Sequence, residues 1–227
     1  MQSETEIERK YYRDMSAYVL LRIYSKYGTV RAEFGYENMK LPSKFNRLLT
    51  AFYLRRRGVE WNGKIPLMDM LRPPQFAVYG RLTIGSGVKF FTHMGIDTAI
   101  QVDNGATIAI GNDVVFNNVL WIRAKERITI EDNVRIGPLV TLRDYEWHEV
   151  YPGQVRTARP VCLGRNCQIG TNSRITPGVS IGENSIVGES SVVLQSFPAH
   201  VSIGGNPARI LRNYSDKYVD DPNWIRP

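Results

Sequence analysis

Three histidines, at 93, 148 and 200, and two cysteines, at 162 and 167, are the side chains here best suited to proton transfer or nucleophilic attack near neutral pH. The histidine spacing lacks the close pair that a three-imidazole zinc site needs, so no metal is expected. With only two cysteines no disulfide framework is implied, and both stand on a regular beat of small and apolar residues, where a thiol reads as a core filler. His148 is different. It lies in RDYEWHEVYPGQVRTARP, residues 143–160, among Asp144, Glu146 and Glu149 and beside Tyr145, Trp147 and Tyr151. A neutral imidazole can take a proton, and a neighbouring carboxylate or carbonyl can fix its tautomer. Adjacent side chains point apart in an extended loop, which favours Asp144 over Glu149, with Glu146 still open. The indole of Trp147 offers a flat apolar face.

What must position this segment is a repeat. In LGRNCQIGTNSRITPGVSIGENSIVGESSVV, residues 163–193, an aliphatic residue recurs every sixth position, at 163, 169, 175, 181, 187 and 193. Six is neither the alternation of a strand nor the period of a helix. Hexapeptide repeats build parallel β-helices, in which three faces close one coil of about 18 residues. The aliphatics point inward and stack from coil to coil. Asn166, Asn172, Gly178 and Asn184 follow three residues later and tolerate the left-handed backbone of a sharp corner. The next residues, such as Cys167, Ser173 and Ser185, are small and suit a narrow interior.

The same beat runs upstream through Ile84, Phe90, Ile96, Val102 and Ile108, slips by two to Ile110, Phe116 and Ile122, and slips again to Ile130, Ile136 and Leu142. Residues 143–160 lack it and read as a loop thrown out of the solenoid. A long loop in a compact domain is commonly functional, and its three aromatic residues argue against disorder. The predicted organisation is a helical cap or arm over 1–80, a parallel β-helix over 81–205 with the extruded loop 143–160, and a tail over 206–227. In the arm, residues 8–28 have helical spacing. LPSKFNRLLTAFYLRRRG gives a second helix on which Phe45, Leu48, Leu49 and Phe52 share a face and the basic run Arg55–Arg57 suits the C-terminal dipole.

The 227 residues carry a net charge of +7 with a pI of about 9.5. That balance fits an anionic membrane face or a phosphate-bearing ligand. No nucleic-acid motif accompanies it, so no nucleic-acid partner is expected. No apolar run reaches the ~18 residues of a membrane span, and the charged N-terminus is unlike a secretory signal. A cytoplasmic location is expected, with a peripheral contact between the basic helices and the inner membrane face as a further expectation.

Taken in order, IEDNVRIGPLVTL, the histidine-bearing loop, the repeats and the closing IGGNPARILR resemble the hexapeptide-repeat acyltransferases, and most closely their sugar O-acetyltransferase branch. The resemblance covers residues 82–212. It implies a left-handed β-helix, a homotrimer, and acetyl-CoA lying in the grooves between protomers. On that resemblance His148 is the general base, Asn117 (or its neighbour Asn118) binds a sugar acceptor, and Thr171, Arg209 and Arg212 contact the cofactor; the indole face of Trp147 suits stacking on that sugar, with packing of the loop onto the prism as its alternative role. Glu189 and Ser190 depart from the small pair usual in the family, and Leu194 and Gln195 replace a Thr-Lys pair. The implied activity is acetyl transfer to a sugar hydroxyl, on a bacterial surface polysaccharide or its lipid-linked precursor. N-acetylation of an amino sugar or nucleotide sugar is the alternative. A non-catalytic β-helix binding protein and a zinc-dependent carbonic anhydrase of the same fold are more distant ones.

Overall fold

The computed structural model describes residues 43–68, 73–91, 98–146, 152–153 and 157–214. The chain divides into Met1–Leu41 and Pro42–Pro227. The helix expected over residues 8–28 lies outside the described residues, as do His93, Ile96, Trp147, His148, Glu149 and Tyr151.

Three parallel sheets form the faces of a solenoid. Sheet A holds β1 (Val59–Trp61), β3 (Arg81–Ile84), β6 (Thr107–Ile110), β9 (Arg127–Ile130), β12 (Val161–Leu163) and β15 (Ser180–Ile181). Sheet B holds β4 (Lys89–Phe90), β7 (Val115–Phe116), β10 (Arg135–Ile136), β13 (Gln168–Ile169), β16 (Ile186–Val187), β18 (Val201–Gly205) and β19 (Ala208–Asn213). Sheet C holds β2 (Gln75–Val78), β5 (Ala99–Val102), β8 (Trp121–Ala124), β11 (Thr141–Arg143), β14 (Arg174–Ile175) and β17 (Val192–Val193). Among the described strands only β19 runs antiparallel, folding back on β18.

The inward residues stack in columns as the sixfold beat requires. Ile84, Ile110, Ile130, Leu163 and Ile181 pair successively in sheet A. Phe76, Ile100, Ile122, Leu142, Ile175 and Val193 do so in sheet C. The slips by two have a simple cause: β6 and β9 run four residues and bury two of them, whereas β13 and β14 run two and bury one. The solenoid also starts earlier than the beat suggests, because β1 and β2 already belong to its sheets. Large aromatic residues fill this end. Phe90 stacks on Phe116 with ring centroids 4.7 Å apart, and Phe76 meets Phe90 edge-on at 5.8 Å.

The corners follow the expected chemistry. Asn133, Asn166 and Asn184 all have positive φ, near 55–60°, and their amides form a ladder: Asn133 Nδ2 donates to Asn166 Oδ1, and Asn166 Nδ2 to Asn184 Oδ1, each at 2.8 Å. Gly178 turns with φ 83°. The glycines that directly follow the inward aliphatics serve another purpose. A Cβ on Gly170 would lie 2.7 Å from the Glu189 amide nitrogen of the next coil, main chain with no room to retreat. His200 is also a corner residue, with φ 62°, and its Nδ1 is buried without a partner among the described residues.

Helix α1 (Ser43–Arg56) closes the N-terminal end. Tyr53 and Leu54 are buried, Tyr53 packs on Phe76, and its hydroxyl donates to the Pro74 carbonyl at 2.7 Å. Asn46 Nδ2 donates to the Met68 carbonyl at 2.7 Å. The face marked by Leu48 and Phe52 points the other way: these two side chains are 66% and 60% exposed. The helix is apolar on two sides, and the aromatic end of the solenoid selects Tyr53 and Leu54. Among the described residues no helix is long and apolar enough to cross a membrane.

Candidate active site

The loop that carries His148 is rooted at the edge between sheets C and A. Asp144 is fully buried at that root. Its Oδ1 accepts from the Lys125 amide at 2.8 Å, and its Oδ2 accepts from the Glu126 and Arg127 amides at 2.7 Å each. Its carbonyl accepts from the Arg159 amide, on the returning chain, at 2.7 Å, and the Arg159 carbonyl in turn accepts from Gly178 at 3.0 Å. Asp144 therefore clamps the outgoing chain to the coil below, and its main chain fastens the two ends of the excursion together. The expectation that Asp144 orients the imidazole meets this second occupation of its carboxylate. Glu146 is engaged too, its Oε2 lying 2.8 Å from Arg143 Nη2. Tyr145 packs beneath Arg123 and Lys125, whose charges sit 5.4 Å from its ring centroid. Burial pushes its hydroxyl up to about 12, so the phenol stays neutral at physiological pH.

A second set of residues follows the edge between sheets B and C. The Asn117 amide donates to the Ile136 carbonyl at 2.9 Å, and in the next coils Gly137, Gly170 and Gly188 repeat that contact on Ile169, Val187 and Ile203. Above Asn117 the edge is thus a strip of bare backbone. Asn117 Nδ2 also donates to the Ile136 carbonyl at 3.2 Å, and among the described residues its Oδ1 accepts no hydrogen bond. The left-handed corner residue beside it is Val119, with φ 59°, and its counterpart one coil on is Leu139, with φ 61°. Neither Asn117 nor Asn118 makes the corner. A branched side chain in that region is a rare and strained choice. Thr171 stands on the same edge, its carbonyl accepting from the Ser190 amide at 2.8 Å, and Glu189 is exposed one coil above it. Arg209 pairs with Gly204 at the top of the strip and is exposed, whereas Arg212 pairs with Ser202 farther along β18.

The structure thus brings Asn117, Thr171 and Arg209 onto one edge and places Asp144 on the other edge of sheet C. Trp147 and His148 lie outside the described residues. Sequence reasoning missed Trp121, which projects from sheet C between the two edges and is 64% exposed. The repeat tracks inward positions only, but a tryptophan one place before the inward Ile122 had to face out.

The cysteines are poor nucleophiles. Burial pushes the Cys162 thiol up, with Glu131 adding to the effect, and pushes Cys167 up to about 12. The Cys167 thiol donates to the Gly182 carbonyl at 3.1 Å. A raised thiol carries less thiolate at a given pH. At pH 8 Cys167 is therefore expected to react with iodoacetamide at least about tenfold more slowly than in the unfolded chain, and Cys162 more slowly than when unfolded, accelerating as pH rises. Peptide mass mapping checks this, and fast labelling of the native protein would contradict it.

The family model described as bacterial transferase hexapeptide (six repeats) matches residues 163–195. The chain is 34% identical over 125 residues to galactoside O-acetyltransferase of Escherichia coli, an alignment covering 54% of this chain and 62% of that one. It therefore spans less than two thirds of that relative's length. It is 33% identical over 136 residues to a putative acetyltransferase of Saccharomyces cerevisiae, covering 57% of this chain and 67% of the relative. Its fold is similar to that of a hexapeptide-repeat acetyltransferase of Vibrio cholerae solved with acetyl coenzyme A, at TM-score 0.52 and 25% identity over 79% of this chain and 82% of the other. The repeat, the stacked three-sheet solenoid and these relatives agree, and the chain belongs to the hexapeptide-repeat acetyltransferase family.

Proposed function

We propose that the protein is an acetyl-CoA-dependent O-acetyltransferase acting on a sugar hydroxyl, on a surface polysaccharide or its lipid-linked precursor. The observation that carries this reading is the edge on which Asn117, the glycine strip, Thr171 and Arg209 follow one another. Bare backbone there leaves a path for the pantetheine arm, and Arg209 at its end suits a phosphate. Arg212, on the same hairpin, adds a second cation. The galactoside named in the Escherichia coli relative supports a sugar acceptor. Asn117 can both donate to and accept from hydroxyls, and Trp147 offers a stacking face.

In this mechanism His148 removes the hydroxyl proton as the oxygen attacks the thioester carbonyl. The tetrahedral intermediate collapses and expels the CoA thiolate, which takes from the imidazolium the proton that the sugar hydroxyl gave up. Transfer is direct, in keeping with two thiols held protonated by burial. Holding both substrates in one groove supplies much of the acceleration. Because the loop root and the Asn117 edge lie on opposite sides of sheet C, the reading includes a homotrimer in which neighbouring copies complete each site. The location we propose is cytoplasmic, at the inner face of a membrane.

The test is thiol release from acetyl-CoA by the full chain across a panel of sugars, amino sugars and nucleotide sugars, with the product treated with alkali. An alkali-labile acetyl ester is expected. An alkali-stable amide formed only on amines would replace this reading with N-acetylation. Absence of CoA binding by calorimetry would replace it with a binding protein.

A further inference from the structure

We propose that the outward face of α1 is a docking surface for an anionic lipid bilayer. The inference is independent of the transferase reading. The buried side of α1, with Thr50, Tyr53 and Leu54, is committed to the end of the solenoid. On the opposite side Lys44, Leu48, Phe52 and Arg56 succeed one another at four-residue steps, a spacing that makes a continuous ridge along a helix. Arg47 and Arg55 flank that ridge, and both are exposed.

Isolated exposed apolar residues are ordinary, but here two large ones are adjacent and cations bracket them at both ends. The segment Ser43–Gly58 contains no carboxylate, so its own sequence neutralises none of this charge. Such a face suits a negatively charged interface. Leu48 and Phe52 can enter the boundary between headgroups and acyl chains, while the long stems of Lys44 and Arg47 let their charges reach lipid phosphates. Charge complementarity favours a bilayer over a second copy of this chain, since like faces brought together would appose these cations. Attraction of this kind is expected to weaken with salt.

The experiment is co-sedimentation of the full chain with vesicles of neutral phosphatidylcholine and with vesicles that also contain phosphatidylglycerol. At least about tenfold stronger binding to the anionic vesicles is expected, falling steeply when salt is raised to about 0.5 M. The paired variant Lys44→Glu, Arg47→Glu should abolish that preference, and Leu48→Ser, Phe52→Ser should weaken binding at low salt at least about tenfold. All four positions are exposed, and unchanged circular dichroism and thermal melting verify that the variants fold. Equal binding to both vesicle types, or none, would overturn the proposal. So would a fall in the oligomer mass of the serine variant with vesicle binding unchanged, which would assign this face to a second copy.

Discussion

Replacing His148 by alanine is expected to lower acetyl transfer at least about a hundredfold, the lower end for removing a general base. A sugar hydroxyl is a weak nucleophile, and without a group to accept its proton the attack must generate an oxonium or rely on water. Substrate binding should be spared, because in the proposed site positioning falls to the Asn117 edge and the Arg209 end and does not pass through the imidazole. The loss should therefore fall on kcat, with the KM for acetyl-CoA changed little. Wild-type turnover should rise with pH through the range in which an imidazole titrates and then level off, since the base acts in its neutral form. Undiminished turnover in the alanine variant, with a sugar the wild type accepts, would refute the assignment.

Asp144→Ala should damage the fold itself. The carboxylate is fully buried and receives three main-chain amides from Lys125, Glu126 and Arg127. Removing it leaves those donors to find water at the foot of the loop, and a loss of about 3 kcal/mol or more in unfolding free energy is expected. Denaturant titration measures it directly. Asp144→Asn keeps the shape but drops the charge and turns an NH2 toward a donor, so it should lie between wild type and alanine. Activity should fall with stability in both, because the same residue fixes where the loop leaves the solenoid. A variant as stable as wild type would show that the clamp contributes nothing, and would return Asp144 to a role on the imidazole alone.

The hydrophobic beat carried most of the architecture. Ile110, Phe116, Ile122 and their successors fall into stacked columns because each strand pairs in register with its counterpart one coil on, whether the coil is longer or shorter. Asn166, Asn172, Gly178 and Asn184 were legible as corners because few side chains accept a left-handed backbone. The repeat gave no warning of β1 and β2, whose coil is filled by Phe76 and Met68 instead of evenly spaced aliphatics. The buried flank of the helix was not legible for a related reason. Phe52 and Tyr53 are both aromatic neighbours, and only the surface they meet decides which one is buried.

Sequence by itself determined the solenoid and the place where the beat breaks, because both are written in local spacing that stacking copies from coil to coil. Tertiary structure decided what Asp144 holds, that Val119 and Leu139 make the corner beside Asn117, and which flank of α1 faces outward. Those outcomes rest on contacts between residues many positions apart. A buried carboxylate goes to the nearest unpaired amides, and a helix turns toward the surface it fits, neither of which is encoded in the neighbouring sequence.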